Sequence, residues 1–302
     1  MLENSATPVS MREKANAEVP ILAVLVLYQT EPSKGYTLPS FCRALDESGL
    51  AHRFRLLIYD NSPCRSAIPI EISVPFSYVH DPRNGGLSRA YNTAMEVAGA
   101  AGSEWLLLLD QDTLIDANFL RTLSVHLPEA AGNPKCAALA PRLLSKNKII
   151  SPARVLWGGW LLPVDESSGG PYSREMIALN SGTLLRIAAI REIGGFNPVF
   201  WLDYLDHWLF NRLYRAGYFI YVLDATLPHD LSLGNVRGVS TARYKNILLA
   251  ERLDELRSLK NSRRKDKITR IKEETQKYFI PLAETTNEKI LLKLVIALYE
   301  LK

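Results

Sequence analysis

The stretch LLLLDQDT, Leu106 to Thr113, decides the fold. Four leucines in succession fit a strand covered on both faces, and two carboxylates follow at once, one residue apart. Like charges at the end of a buried run are an electrostatic liability, so the rest of the chain must supply what neutralises them.

Outward from this stretch, helices and strands alternate. ILAVLVLY (Ile21 to Tyr28) is a second continuous apolar run, and Leu38 to Gly49 follows with helical spacing and a terminal glycine. RFRLLIYDNS places a strand over Phe54 to Tyr59 that stops at Asp60-Asn61-Ser62. FSYVHD leads into NGGLSRAYNTAMEVAGA, where a glycine pair precedes an alanine-rich helix. Such alternation implies parallel strands with right-handed crossovers and helices on both faces, with ligands at the carboxyl ends of the strands. Tyr28, Asp60, Asn84, Asp110 and Asp112 all stand at or just after strand ends, so they converge on one crevice. In the second half, ALAPRLL, the strand-turn-helix MIALNSGTLLRIAAIREIGGF and IYVLDATLPHD continue the α/β pattern.

Composition bounds the alternatives. A net charge of +4 over 302 residues does not mark a nucleic-acid binder. The three cysteines, Cys42, Cys64 and Cys136, lack any C-x-x-C spacing, which argues against a disulfide framework or structural zinc and fits a reducing cytosol. The opening twenty residues are polar and read as a flexible tail (1–20), and no apolar run approaches the ~20 residues of a membrane span. The expected domain runs from 21 to 240, with a nucleotide-sugar half (21–115) and an acceptor half (116–240). Residues 241–302 read as a basic helical extension.

In a strand, residues i and i+2 share a face, so Asp110 and Asp112 are placed to aim both carboxylates at one Mg²⁺ or Mn²⁺. The plainer reading makes Asp112 the cap of the helix begun by IDANFLRTL, with Asp110 facing solvent. A haloacid-dehalogenase-type phosphatase also shows an apolar strand before D-x-D. That motif wants Thr or Val two residues beyond the second Asp, where this chain has Leu114, and it lies near the start of its domain.

The ordered set ILAVLVLY, YDNS, NGGLSRAYN, LLLLDQDT, NSGTLL, GGFNPVFWLDYLD and the histidine of LPHD resembles the inverting glycosyltransferases of family 2, which have the GT-A fold. The D-Y-x-D of Asp203 to Asp206 and the RYKN segment are most similar to bacterial rhamnosyltransferases. The resemblance implies a Rossmann-like, mostly parallel sheet flanked by helices. It also implies that Tyr28 and Asp60 border the base, with Asp60 accepting the imide N–H of uracil or thymine, and that Asn84 and Gly86 lie near the ribose and diphosphate. It makes Asp110, Asp112 and His229 the metal set, with Asp110 also at the nucleotide, and Asp206 the base. Asn180, Ser181 and Asp203 fall beside the acceptor, with Trp157 and Trp160 of the WGGW turn, and Trp201, as aromatic faces for sugar. The chain departs from the family at Leu205-Asp206-His207-Trp208, where two flanking acids are lost.

What the resemblance implies is transfer of a sugar, rhamnose from dTDP-rhamnose, to a hydroxyl of a glycan or lipid-linked acceptor in bacterial surface-polysaccharide synthesis. A UDP-sugar transferase, galactofuranosyl or glucosyl, stands as the alternative, and a noncatalytic nucleotide-sugar-binding protein as another. The basic segment Arg257 to Lys277 with KILLKLVIALYELK reads either as a solvated helical face or as a peripheral contact with the inner face of the cytoplasmic membrane. A homodimer contact through the last helix is a third reading. The expected location is cytoplasmic.

Overall fold

The computed structural model describes residues 21–68, 71–156, 161–165 and 169–229. The expected tail (1–20), the helical extension (241–302), and Trp157 and Trp160 lie outside the described residues. No described helix is long and apolar enough to cross a membrane.

Strands β1 (Ile21–Leu27), β2 (Phe54–Asp60), β3 (Phe76–His80) and β4 (Trp105–Asp110) form from the apolar runs identified in the sequence. Between them lie α1 (Thr37–Ser48), a short 3₁₀ turn (Ala51–Arg53) and α2 (Gly86–Ala101). Then come α3 (Ala117–Gly132), β5 (Cys136–Ser145), β6 (Lys148–Ser151), β7 (Ala153–Val155), β8 (Leu161–Pro163), β9 (Gly170–Tyr172), β10 (Met176–Ile177) and β11 (Leu184–Arg186). Helices α4 (Ile187–Glu192) and α5 (Leu205–Arg215) and strand β12 (Phe219–Pro228) complete the described chain.

The main sheet runs β3-β2-β1-β4-β11-β5-β12-β9, with β6 on β5, and a small sheet runs β10-β7-β8. The pairings β3-β2, β2-β1, β1-β4 and β5-β12 are parallel, while β11 is antiparallel to both neighbours. The period-two alternation of the strands divides the core. Leu22, Val24, Val26, Leu106 and Leu108 pack with α2 and α5 on one face, and Ile21, Ala23, Leu25, Leu107 and Leu109 pack with α1 and α3 on the other. Leu106 to Leu109 have no solvent exposure, each side chain contributing about 1.5–3 kcal/mol by leaving water.

Register brings the strand ends level: Leu27 lies opposite Asp60, Val26 opposite Asp110, and Asp60 opposite His80. The carboxyl ends of these strands therefore lie side by side. Among the described cysteines, Cys42 and Cys136 are buried, Cys64 is exposed, and all three are free thiols.

Candidate active site at the carboxyl ends of the strands

Asp110 falls on the same face as Leu106 and Leu108, the face covered by α2, and this places it against Tyr91. The Tyr91 hydroxyl, fully buried, donates to Asp110 Oδ1 at 3.2 Å. Ser181, also fully buried, donates its hydroxyl to Asp110 Oδ2. Both oxygens of Asp110 are thus held by neutral donors. Burial, joined by the negative fields of Asp110, Asp206 and Asp112, raises the Tyr91 phenol well above its ordinary value, so it stays a donor.

The strand ends at Asp110, so pleating does not carry Asp112 onto the same face. The pleat argument for pairing the two carboxylates therefore stops at Asp110: Asp112 lies in the following turn, its Oδ1 3.8 Å from His229 Nδ1. Thr113 Oγ1 lies 3.0 Å from the same ring nitrogen, and a backbone bridge joins Thr113 to His229 just past the end of β12. The turn is fastened from α1. Thr37 Oγ1 accepts the Thr113 backbone N–H at 3.0 Å and lies 2.8 Å from the Thr113 carbonyl, while Ser40 Oγ accepts the Ile115 N–H at 3.0 Å.

The plainer reading of Asp112 as a helix cap is also settled. Asp116 caps α3, its Oδ1 accepting the Phe119 N–H at 2.7 Å. Among the described residues no three acidic, histidine or cysteine groups cluster tightly enough to hold an ion alone. The donor set itself, a carboxylate beside an imidazole with a second carboxylate two residues away in sequence, suits a divalent cation that takes its remaining ligands from a bound diphosphate.

Asp206 is the second residue of α5, two residues after Tyr204, which is held at φ 63°. Burial raises its carboxyl above the usual range. His207 opposes the rise, through its charge and through a backbone N–H that reaches Asp206 Oδ1 at 2.8 Å, and the negative charge of Asp110 adds to it. The negative charges of Asp110 and Asp206 both bear on the Tyr91 phenol. Asp203 sits half-buried in the turn before α5.

Tyr28 is 44% exposed beyond the end of β1, and its backbone N–H donates to Gln111 Oε1 at 2.9 Å. Asp60 is fully buried. Burial works against its charge, but hydrogen bonds from Ser62, Tyr78 and Ser66 outweigh it and hold the carboxyl at about 2. The Ser62 and Ser66 N–H groups each reach it at 2.9 Å, and the Tyr78 hydroxyl also donates. Asp60 therefore shapes the 62–66 loop. The loop and residues 29–31 line a cleft of about 400 Å³.

Asn84 adopts φ 52° and Gly86 φ 76° in the turn leading into α2. The Trp201 indole lies against this turn, Nε1–H donating to the Asn84 carbonyl at 2.8 Å, so Trp201 packs on Gly86 where a sugar face was expected. Ser181 faces Asp110. Asn180 is buried, and its Oδ1 has no hydrogen-bond partner among the described residues. Tyr91, Thr37, Asp116 and the Trp201 contact were missed by sequence reasoning. Only Asp116 carried a local signal, as an N-cap residue directly before Ala117.

No family model matches the chain. A curated relative, the dTDP-rhamnosyl transferase RfbF of Shigella flexneri, is 20% identical over 158 residues, covering 51% of this chain and 52% of that protein. The chain thus spans about half the length of the curated relative it matches. Similar solved structures include S. aureus TarS 1-349 in complex with UDP-GlcNAc, at TM-score 0.53 and 12% identity over 91% of this chain and 79% of that one. TarS 1-349 without a named ligand gives TM-score 0.51 and 17% identity over 87% and 78%. Identities this low speak for architecture, and the architecture they share with this chain is the GT-A fold.

Proposed function

We propose that the protein is an inverting, metal-dependent glycosyltransferase that moves a sugar from a nucleoside-diphosphate donor to a hydroxyl of a glycan or lipid-linked acceptor. The observation that carries this is the meeting of Asp110, the Asp112-His229 pair and a half-buried Asp206 near the strand ends of a GT-A fold. Rhamnose from dTDP-rhamnose is the donor favoured by the RfbF relative. A UDP-sugar is the second reading, favoured by the TarS complexes with UDP and UDP-GlcNAc.

An acceptor hydroxyl is a weak nucleophile at neutral pH, and Asp206 takes its proton as the new glycosidic bond forms. A raised carboxyl is a stronger base once ionised, which suits that step. Asp112 and His229 would hold a divalent cation that supplies Lewis-acid stabilisation of the leaving diphosphate. Asp110, braced by Tyr91 and Ser181, fixes the floor beneath. Asp60 sets the loop that closes the base cleft, and Asn84 and Gly86 offer backbone toward the ribose and diphosphate. A single displacement inverts the anomeric carbon without a covalent nucleophile. Asp110, with both oxygens engaged, is poorly disposed to act as the nucleophile a phosphatase would need.

The test is incubation with dTDP-rhamnose and UDP-sugars, with and without Mn²⁺, monitoring release of nucleoside diphosphate in the presence of a bacterial lipid-linked glycan fraction. Metal-dependent release of dTDP or UDP supports the reading, and release of inorganic phosphate alone contradicts it.

A further inference from the structure

Asn84 stands in the turn before α2 and Gly86 is the first residue of that helix, whereas Asp203 and Asp206 stand in and after a distant loop. Trp201 joins the two across a sequence separation of 117. Its indole Nε1–H donates to the Asn84 carbonyl at 2.8 Å, and its own carbonyl accepts the Leu87 backbone N–H at 2.8 Å. Gly86 lies between these bonds in the left-handed region, and a Cβ added there would overlap the Trp201 carbonyl and sit 2.7 Å from Nε1. Further along α2, the Asn92 side chain bonds Phe196 in both directions, Nδ2–H to the carbonyl at 2.7 Å and Phe196 N–H to Oδ1 at 2.9 Å. Helix α2 therefore grips segment 196–201 at two points, and that segment runs directly into Asp203, the left-handed Tyr204 and Asp206.

We propose that Trp201 is a positioning residue that latches the loop carrying Asp203 and Asp206 to the Asn84–Gly86 turn, so that nucleotide occupancy of the turn sets the placement of the Asp206 base. This rests on the reading of that turn as part of a nucleotide-sugar site. Phenylalanine would keep the ring but could not donate to Asn84, so the indole N–H is the specific element. A displacement of about 1 Å at a base is enough to cost about 10²-fold in rate, so a latch of two hydrogen bonds is sufficient to govern turnover.

Hydrogen exchange on the full chain tests this in wild type, Trp201→Phe and Gly86→Ala. Without nucleotide, the Leu87 amide should exchange about fivefold faster in both variants, the expected effect of weakening one hydrogen bond. Equal Leu87 exchange in all three proteins overturns the latch. With dTDP or UDP and Mn²⁺, wild type should gain protection at 84–87 and at 200–206 together, and Trp201→Phe at 84–87 only. Protection confined to 84–87 in wild type, or paired protection in Trp201→Phe, overturns the coupling. If neither nucleotide protects any wild-type amide while the Leu87 difference persists, the nucleotide-site reading fails and the coupling with it, leaving the latch as a contact of the fold. In turnover assays Trp201→Phe should lower kcat ~10- to 100-fold with donor KM within about twofold. A purely structural loss would reduce active protein and leave the Leu87 exchange of the folded fraction unchanged.

Discussion

Asp206 carries two burdens that a single substitution separates. Burial raises its carboxyl, so the folded state holds that proton more tightly than the unfolded chain does. The resulting stability is fully present below the unfolded carboxyl value of about 4 and is lost as pH rises through the higher folded value. Asp206→Asn removes a costly buried charge. In metal-free protein its melting temperature should exceed wild type at pH 7.5, with the gap closing toward pH 4, while turnover falls ~10² to 10⁴-fold. Scanning calorimetry at the two pH values, with turnover at saturating donor, checks both, and a variant less stable than wild type at pH 7.5 would show that ionised Asp206 is well compensated. Asp60 has the opposite sign. Held at about 2 by Ser62, Ser66 and Tyr78, it contributes stability above about pH 4 that is lost as pH falls toward 2. Asp60→Asn should flatten that part of the acid-unfolding curve. At Asp110, Tyr91→Phe deletes one of two braces and should weaken Mn²⁺-dependent dTDP or UDP binding ~5- to 10-fold without unfolding the chain, as titration calorimetry would show.

Among the elements, the turn from β4 to α3 shows how two aspartates divide labour. Asp116 caps α3, and Asp112 stands beside His229. Asp116→Ala should cost about 1 kcal/mol of stability and leave nucleotide binding intact, whereas Asp112→Ala should do the reverse. Denaturant titration paired with calorimetry distinguishes them. Legibility follows the same logic. Strands β1, β2 and β4 were readable because strands buried on both faces are written as unbroken apolar runs, and α1 because its glycine stop is local. Helix α5 and the β7, β8 and β10 sheet were not, since LDYLDHW mixes polar and aromatic residues behind a left-handed Tyr204, and the small strands are only two or three residues long. Tyr91 gave no sequence signal, and the resemblance named Ser181 for the acceptor and not as a partner of Asp110. A hydroxyl on an apolar helix face, or in a turn, becomes a carboxylate brace only when the sheet brings Asp110 to it.

At the scale of the whole molecule, the strand order β3-β2-β1-β4-β11-β5-β12 gathers the ends of β1, β2 and β4, the turn before α2, the start of α5 and the end of β12 around one crevice. Chemistry written over some two hundred residues of sequence thereby acts in one place. On the proposed reading, the cleft at residues 29–31 and 62–67 takes the nucleotide base, Asp112 and His229 stand at the metal end, and Asp206 is the base that the Trp201 contact positions. The central claim is that these parts together bind a nucleoside-diphosphate sugar through a metal. Titration calorimetry of wild type, Asp112→Asn and Asp206→Asn with dTDP-rhamnose and with a UDP-sugar, each with and without Mn²⁺, tests it most directly. The account predicts Mn²⁺-dependent binding of at least one donor by wild type, its loss in Asp112→Asn and its retention in Asp206→Asn. Binding that is indifferent to Mn²⁺ and to Asp112, or confined to a CMP-sugar, which has no diphosphate, when one is offered alongside, would contradict it.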